Sequence, residues 1–428
     1  MKTATKNVHG ADIGRIEENY ETAARIYEEY GVDTDRVLRI ISGKSISLHC
    51  WSGDDVTGFE THTGRNRRGN LQSGGIAVTG KSPGKAATIE ELMKNLETAL
   101  SFIPGKHRVN LHAMYGDFGH KIIDRNEIEY AHFERWVEWA KRRSVALDFN
   151  ATLFSHPNAS DGFTLSSPSE EIREFWIEHV RRCRKIGSRF GKELGSACIH
   201  NLWVPDGMKD TCVGRREYRH RLLQSLDDIY SDKYDASVLR DSIEQKLFGI
   251  GSETCVFGSH ELYLGYAVRR GIMPCLDTGH FHPTENIGDK ISSLLLNGCD
   301  VLIHLSRGIR WDSDHVVLFD DCTREIMQET VRSGAIDRVY FALDYFDASI
   351  DRIAGWVIGA RSALKSLLYA LLEPVETLQE METAGNYLGR MALLEEMKTA
   401  PFGAVWDYWC AKSGVPIRSS WMKHTPRV

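Results

Sequence analysis

The segment Met273-Pro274-Cys275-Leu276-Asp277-Thr278-Gly279-His280-Phe281-His282 decides the reading of this chain. Five mostly apolar residues end in a carboxylate, Asp277, and break at Gly279. A run of that length with such a boundary is a strand signal. A helical pattern follows at 285–296, and then a second apolar run, Val301-Leu302-Ile303-His304-Leu305, interrupted by one imidazole. Strand, helix and strand in this order form a βαβ unit, which places two parallel strands side by side.

The same unit recurs in both directions. Candidate strands are Ser45–His49, Arg108–His112, Ala146–Asn150, Ala197–Trp203, Glu244–Phe248, Met273–Asp277, Val301–Leu305 and Val339–Asp344. Between them run helical patterns at 89–102, 127–143, 169–190, 217–230, 285–296 and 320–333. Eight strand–helix alternations predict a (β/α)8 TIM barrel over 41–350 in preference to an open doubly wound sheet. Residues 1–40 read as an N-terminal helical segment, with Ile16, Tyr20, Ala24 and Tyr27 at helical spacing. Residues 351–428 read as a helical C-terminal extension, with patterns at 350–382, 387–398 and 402–412, wrapped on the barrel or on a neighbouring subunit.

Composition narrows the function classes. Of 428 residues 42% are hydrophobic, enough for a large core, and the net charge of −6 supplies no basic field for nucleic acid. The nine cysteines include no C-x-x-C pair, which predicts free thiols in a reducing cytosol. Residues 1–15 lack the apolar core of a signal peptide, and no run reaches the roughly 18 apolar residues of a membrane helix. A cytoplasmic protein without membrane or nucleic-acid partners is expected. The segment Thr61–Gly69, with three Arg, is predicted to be an exposed loop.

The polar residues at strand ends carry the chemistry. His49, His112, Asn150, Trp203, Glu244, Lys246, Asp277, His304 and Asp344 all fall within or at the end of a candidate strand. Barrels of this kind build their active sites at the C-terminal strand ends, and an isolated charge inside the barrel would be destabilising unless paired or metal-bound. Read singly, each group has an ordinary explanation. Glu244 and Lys246, two apart in a strand, would form an internal ion pair. His304 alone would be a satisfied core residue, and Asp312-Ser313-Asp314 a charged loop. Four consecutive strands ending in metal-competent groups are harder to explain in that way. Glu244, Asp277, His280, His304, Asp312, Asp314 and Asp344 exceed the six or so ligands of one octahedral ion, which predicts two. Oxygen and imidazole donors without paired thiols suit Mg²⁺, Mn²⁺ or Co²⁺ better than structural zinc. Five carboxylates facing two divalent cations come close to charge balance. Trp51 and Trp203 offer flat apolar faces to a ligand.

These residues stand in long motifs. They include Ser47-Leu48-His49-Cys50-Trp51-Ser52-Gly53-Asp54-Asp55-Val56, Asn110-Leu111-His112 and Phe154-Ser155-His156-Pro157. Further along come Trp203-Val204-Pro205-Asp206-Gly207-Met208, Lys246-Leu247-Phe248-Gly249, Gly279-His280-Phe281-His282-Pro283, Arg310-Trp311-Asp312-Ser313-Asp314-His315 and Phe346-Asp347-Ala348-Ser349. From about residue 16 to about 412 the chain resembles the L-rhamnose isomerase family, ketol isomerases related to the xylose isomerase barrels. The resemblance implies a homotetramer that uses Mn²⁺, with Co²⁺ or Mg²⁺ as substitutes, and interconverts L-rhamnose and L-rhamnulose as the first step of rhamnose breakdown.

Carried over by motif, Glu244, Asp277, His304 and Asp344 would hold the ion that grips the sugar hydroxyls. His280, Asp312 and Asp314 would hold a second ion beside the reacting carbon. Lys246, His112, Trp203 and Trp51 would line the substrate pocket, and Lys246, Asp312 and Asp344 are expected to be the catalytic side chains. The family route is a hydride shift with a metal-bound hydroxide as proton shuttle, and its competitor is an ene-diol route through a His or Asp base. The other readings are an isomerase of a different aldose, a multi-metal phosphodiesterase barrel and a catalytically silent sugar-binding barrel. The phosphodiesterase calls for more His ligands and a basic face, and the chain offers neither.

Overall fold

Eight parallel strands close into a barrel in chain order, with the last pairing back onto the first. They are β1 (Ile46–His49), β2 (Arg108–His112), β3 (Ala146–Asn150), β4 (Cys198–Trp203), β5 (Leu239–Glu244), β6 (Met273–Asp277), β7 (Val301–Leu305) and β8 (Val339–Leu343). The computed structural model describes residues 12–60, 80, 82, 84–119, 121–247, 254–309 and 312–423. The Thr61–Gly69 segment lies outside them.

Seven of the strands match the sequence reading to within a residue or two. The fifth does not: it ends at Glu244, where the sequence reading had it begin. Its body, Leu239-Arg240-Asp241-Ser242-Ile243, is disguised by charges whose partners are remote in sequence. Arg240 bonds Asp300 and the Tyr340 hydroxyl, and Asp241 accepts a bidentate pair from Arg184. Lys246 therefore lies beyond the strand rather than within it. The helix that follows, His260–Arg270, also escaped the periodic reading. Two other helices start later than predicted. Glu134–Arg143 is preceded by single 3₁₀ turns at Arg125–Glu127 and Tyr130–Phe133, and Gly288–Leu296 is preceded by a turn in which the Glu285 N–H donates to the His282 carbonyl.

Helices cover the outside of the barrel. Glu170–Leu194 begins at an N-cap where the Ser169 hydroxyl accepts from the Ile172 N–H, and ends at Gly195 in the left-handed region. Arg352–Leu371 lies against β1, burying Trp356, Leu364 and Leu367, and the Trp356 indole donates to the His49 carbonyl. Three further helices follow: Val375–Thr383, Tyr387–Met397 and Phe402–Lys412. The last packs on the N-terminal helix Ile13–Glu29, where Tyr20 stacks on Tyr408 at 3.9 Å. These two helices are thus packed together on one flank of the barrel.

Inside the barrel, residues two apart share a face. β2 turns Arg108, Asn110 and His112 inward, β5 Arg240, Ser242 and Glu244, and β8 Tyr340 and Ala342. Halfway down sits a small apolar layer of Ile199, Met273, Cys275, Leu302 and Ala342. It separates a polar floor from a polar mouth. Across the mouth, the two-residue strands Gly207–Met208 and Cys255–Val256 pair antiparallel and tie together the loops after β4 and β5. All nine cysteines are free thiols, and Cys322 alone among them is exposed. Among the described residues no helix is long and apolar enough to cross a membrane.

Candidate metal centre

At the mouth, adjacent strands deliver ligand-bearing side chains in register. Asp277 of β6 pairs directly with His304 of β7, and Glu244 ends β5 opposite Cys275. Asp344 follows β8, placed by its own N–H on the Leu305 carbonyl at 2.9 Å. One ligand atom from each of Glu244, Asp277, His304 and Asp344 lies within 4.8 Å of all the others. A second such group comprises Asp277, His280 and Asp312. Asp277 belongs to both, so the two groups meet at that residue. Asp314, expected in the second set, lines the same pocket but is not among these converging atoms; Asp277 stands there instead. Its backbone is left-handed (φ 47°), and its carbonyl accepts from the Phe346 N–H.

The residues present fit divalent cations. His304 is fully buried, and neither of its ring nitrogens makes a hydrogen bond of acceptable geometry. Yet its Nδ1 has Asp344 at 3.0 Å, Glu244 at 3.3 Å and Asp277 at 3.8 Å. An imidazole and three carboxylates with donor atoms this close together make a set that could hold a hard or borderline ion. Buried carboxylates this close cannot all remain ionised by themselves. Burial, partly offset by His280 and reinforced by Glu244 and Asp344, pushes Asp277 up to about 8. Desolvation opposes charge on His280, but Asp277 and Asp312 overcome it and raise its pKa well above the ordinary imidazole value. In this cluster protons and cations compete for the same lone pairs.

A second layer aims the ligands. The His280 Nδ1–H donates to the Gln245 carbonyl at 2.8 Å, which turns Nε2 toward Asp312, 3.2 Å away. The Asn201 amide donates to Glu244 at 2.5 Å and the Trp51 indole to Asp344 at 3.1 Å. The Asn110 amide reaches His49 Nε2 at 3.0 Å, leaving His49 Nδ1 3.3 Å from Asp344. Gly279 is required by space: a Cβ there would sit 2.5 Å from Asp312 Oδ1. Sequence reasoning missed Asn110 and Asn201, although a carboxamide inside an apolar strand is itself a signal.

One side of the pocket is aromatic. Trp51, His112, Phe154 and Trp203 form a continuous arc with ring centroids 4.2, 5.7 and 5.8 Å apart in turn, and Phe346 and Val56 complete the lining. Val56 is a β-branched residue in the left-handed region (φ 57°), a strained conformation invisible in sequence. Burial pushes the pKa of His112 down to about 3, so it stays neutral, with Nδ1 on the Thr152 hydroxyl at 3.1 Å. The Lys246 ammonium lies 2.7 Å from Asp312 and 4.9 Å above the Trp203 ring. All four residues expected to line the pocket (Trp51, His112, Trp203 and Lys246) do so.

Comparison with known proteins agrees with this site. The L-rhamnose isomerase family model matches residues 14–427. The L-rhamnose isomerase of Rhodopirellula baltica is 52% identical over 411 residues, spanning 96% of this chain and 95% of its own. Those of Bacteroides thetaiotaomicron and Listeria monocytogenes are each 50% identical, over 94% and 95% of this chain and 94% and 96% of theirs. On a match of this length and identity, the chain belongs to the L-rhamnose isomerase family.

Proposed function

We propose that this protein is a metal-dependent aldose–ketose isomerase that interconverts L-rhamnose and L-rhamnulose. The observation that carries the reading is the pair of ligand groups sharing Asp277, set beside Lys246 and under an aromatic arc. Glu244, Asp277, His304 and Asp344 would hold one divalent ion. His280 and Asp312, with Asp277 and the neighbouring Asp314, would hold the other, and Mn²⁺ suits this donor set, with Co²⁺ or Mg²⁺ as substitutes. Bound there, such ions supply Lewis acidity, polarising a sugar carbonyl and easing ionisation of the adjacent hydroxyl.

The chain's own residues do the rest. Asp312 and Asp314 keep Lys246 charged against the desolvation that opposes it, so its ammonium is a ready donor to a substrate oxygen. Trp51, Phe154 and Trp203 present apolar faces to the methyl end of a deoxy sugar and exclude water. Each imidazole at the mouth is already engaged: His49 by Asn110, His112 by Thr152, and His280 by the Gln245 carbonyl. His304 sits among three carboxylates. None of these imidazoles is disposed as an uncommitted base, which argues against an ene-diol route through a His base. A homotetramer in the cytoplasm completes the reading. Helix Tyr387–Met397 leaves Tyr387, Leu388 and Met391 largely exposed, which suits a contact between subunits.

The test is to strip the protein with a chelator and measure L-rhamnose conversion before and after adding Mn²⁺. Activity should vanish and return. Turnover that persists without metal rejects the mechanism.

A further inference from the structure

Outside the barrel wall, an open cavity of about 540 Å³ lies between helix Arg352–Leu371 and helix Phe402–Lys412. It is unconnected to the chemistry described above, and its charge is unbalanced. Arg361, Lys365 and Arg418 line it with one carboxylate, Asp407, which Arg418 already binds at 2.7 Å. Among the described residues the cleft keeps two net positive charges.

The Arg361 guanidinium is almost wholly buried, yet its hydrogen-bond partners are neutral: the carbonyls of Phe102, Pro416 and Arg418 and the Cys410 sulfur. Lys365 makes no hydrogen bond or ion pair among the described residues. It lies 5.3 Å above the Trp406 ring, which also receives Arg361 at 5.1 Å. Ring faces compensate a cation only in part. Trp406 is itself buried, and its indole N–H has no acceptor. Burial and the nearby Arg361 depress the Lys365 pKa, as expected of cations crowded without a counter-ion. Lys365 is half-buried without a counter-ion, and a bound anion would turn its ammonium into a charge-assisted donor.

We propose that this cleft binds a small dianion of the phosphate monoester class. Its phosphoryl oxygens would meet Lys365, Arg361 and the Trp406 indole, and its organic body would lie on the apolar faces of Phe402 and Trp421. A phosphate monoester carries about −1.5 to −2 charges near neutral pH, which matches the excess in the cleft. Carboxylate monoanions would leave a positive charge unmatched. The site would sit on the helix whose first turn holds Asp55 through Arg352 and whose Trp356 holds the His49 carbonyl, so occupancy is felt by elements that also frame the mouth.

The test is calorimetric titration of the native, metal-loaded protein with glycerol 3-phosphate, with glycerol as the neutral control. Saturable binding is expected for the phosphate alone, weakening as salt rises. Lys365→Gln should lower the affinity about tenfold or more while L-rhamnose turnover stays unchanged, and Trp406→Phe should lower it less. Absence of saturable binding, as when a second copy of the chain covers the cleft, overturns the proposal. So does an undiminished affinity in Lys365→Gln, which would place the phosphate elsewhere, for instance at the metal centre.

Discussion

The two ends of the barrel are built from the same strands and the same residue types, yet they behave as opposites. β2 begins with Arg108 and ends with His112; β5 carries Arg240 near its start and Glu244 at its end. Four residues, about 13 Å of strand, separate each pair. At the floor the strand charges are held in ion pairs. Arg108 grips Asp148 with two bonds of 2.7 and 2.9 Å and also bonds Ser196 and the Ala197 carbonyl. Asp148 in turn accepts from Ser47 and the Ile199 N–H. At the mouth four carboxylates and two imidazoles converge with one ammonium, Lys246, among them. Matched charges hold a barrel together, and unmatched ones hold something else. The difference separates the residues needed for folding from those needed for chemistry.

The strongest way to break that contrast is Asp312→Asn. Activity on L-rhamnose should fall on the order of a thousandfold, with circular dichroism and melting temperature nearly unchanged. A variant that keeps kcat would show that Asp312 is not part of the reacting centre. The mirror experiment is Asp148→Asn at the floor, which leaves the mostly covered Arg108 guanidinium without its carboxylate. It should cost about 3–5 kcal/mol of stability in denaturant unfolding while the folded enzyme keeps its kcat. If Asp148→Asn instead abolished turnover at unchanged stability, the division between the two ends would be wrong.

A pH series sharpens the comparison at the floor. His107 is buried below β1, accepting the Ile46 N–H on Nδ1 at 3.2 Å and meeting the Pro104 carbonyl through Nε2 at 3.0 Å. Burial, weakly opposed by that carbonyl, pushes it down to about 4 from an ordinary 6.5. Between those values the unfolded chain binds a proton that the folded chain does not. The stability it contributes is full above pH 6.5 and is lost as the pH falls toward 4, on the order of 3 kcal/mol for this one group. His107→Gln should flatten that part of a stability–pH profile, and an unchanged slope would reassign the acid sensitivity. The smallest effect is expected at the mouth's rim. Trp203→Phe narrows the ring under Lys246 and should raise KM about threefold with little change in kcat. A large fall in kcat would mean that Trp203 takes part in the chemistry itself.

Much of the fold was legible because parallel strands buried on both faces leave apolar runs that stand out from amphipathic helices. β6 and β7 announce themselves in this way, and a carboxylate or imidazole within such a run marks a place where something must compensate it. β5 was legible only at its last residue. Arg240 and Asp241 look like loop residues until Asp300 and Arg184, some 60 residues away in either direction, are brought beside them. The helix His260–Arg270 was hidden by a weakly apolar face. In the site, six of the seven expected ligands enter the two converging groups, and Trp51, His112, Trp203 and Lys246 line the cavity beside them. The strained backbone at Val56, the sharing of Asp277 and the orienting amides of Asn110 and Asn201 were not.

Local composition and periodicity determined seven of the eight strands, most of the helices and most of the polar side chains at strand ends, because these depend on neighbours a few residues apart. The sequence by itself also determined the inventory of oxygen and imidazole donors. Only the closed tertiary structure decided which donors meet and which charges are cancelled. Register across the barrel, with Asp277 beside His304 and Asn110 beside Asp148, sets ångström-scale distances between groups far apart in the chain. Electrostatic energy at such distances in a buried site outweighs any local preference.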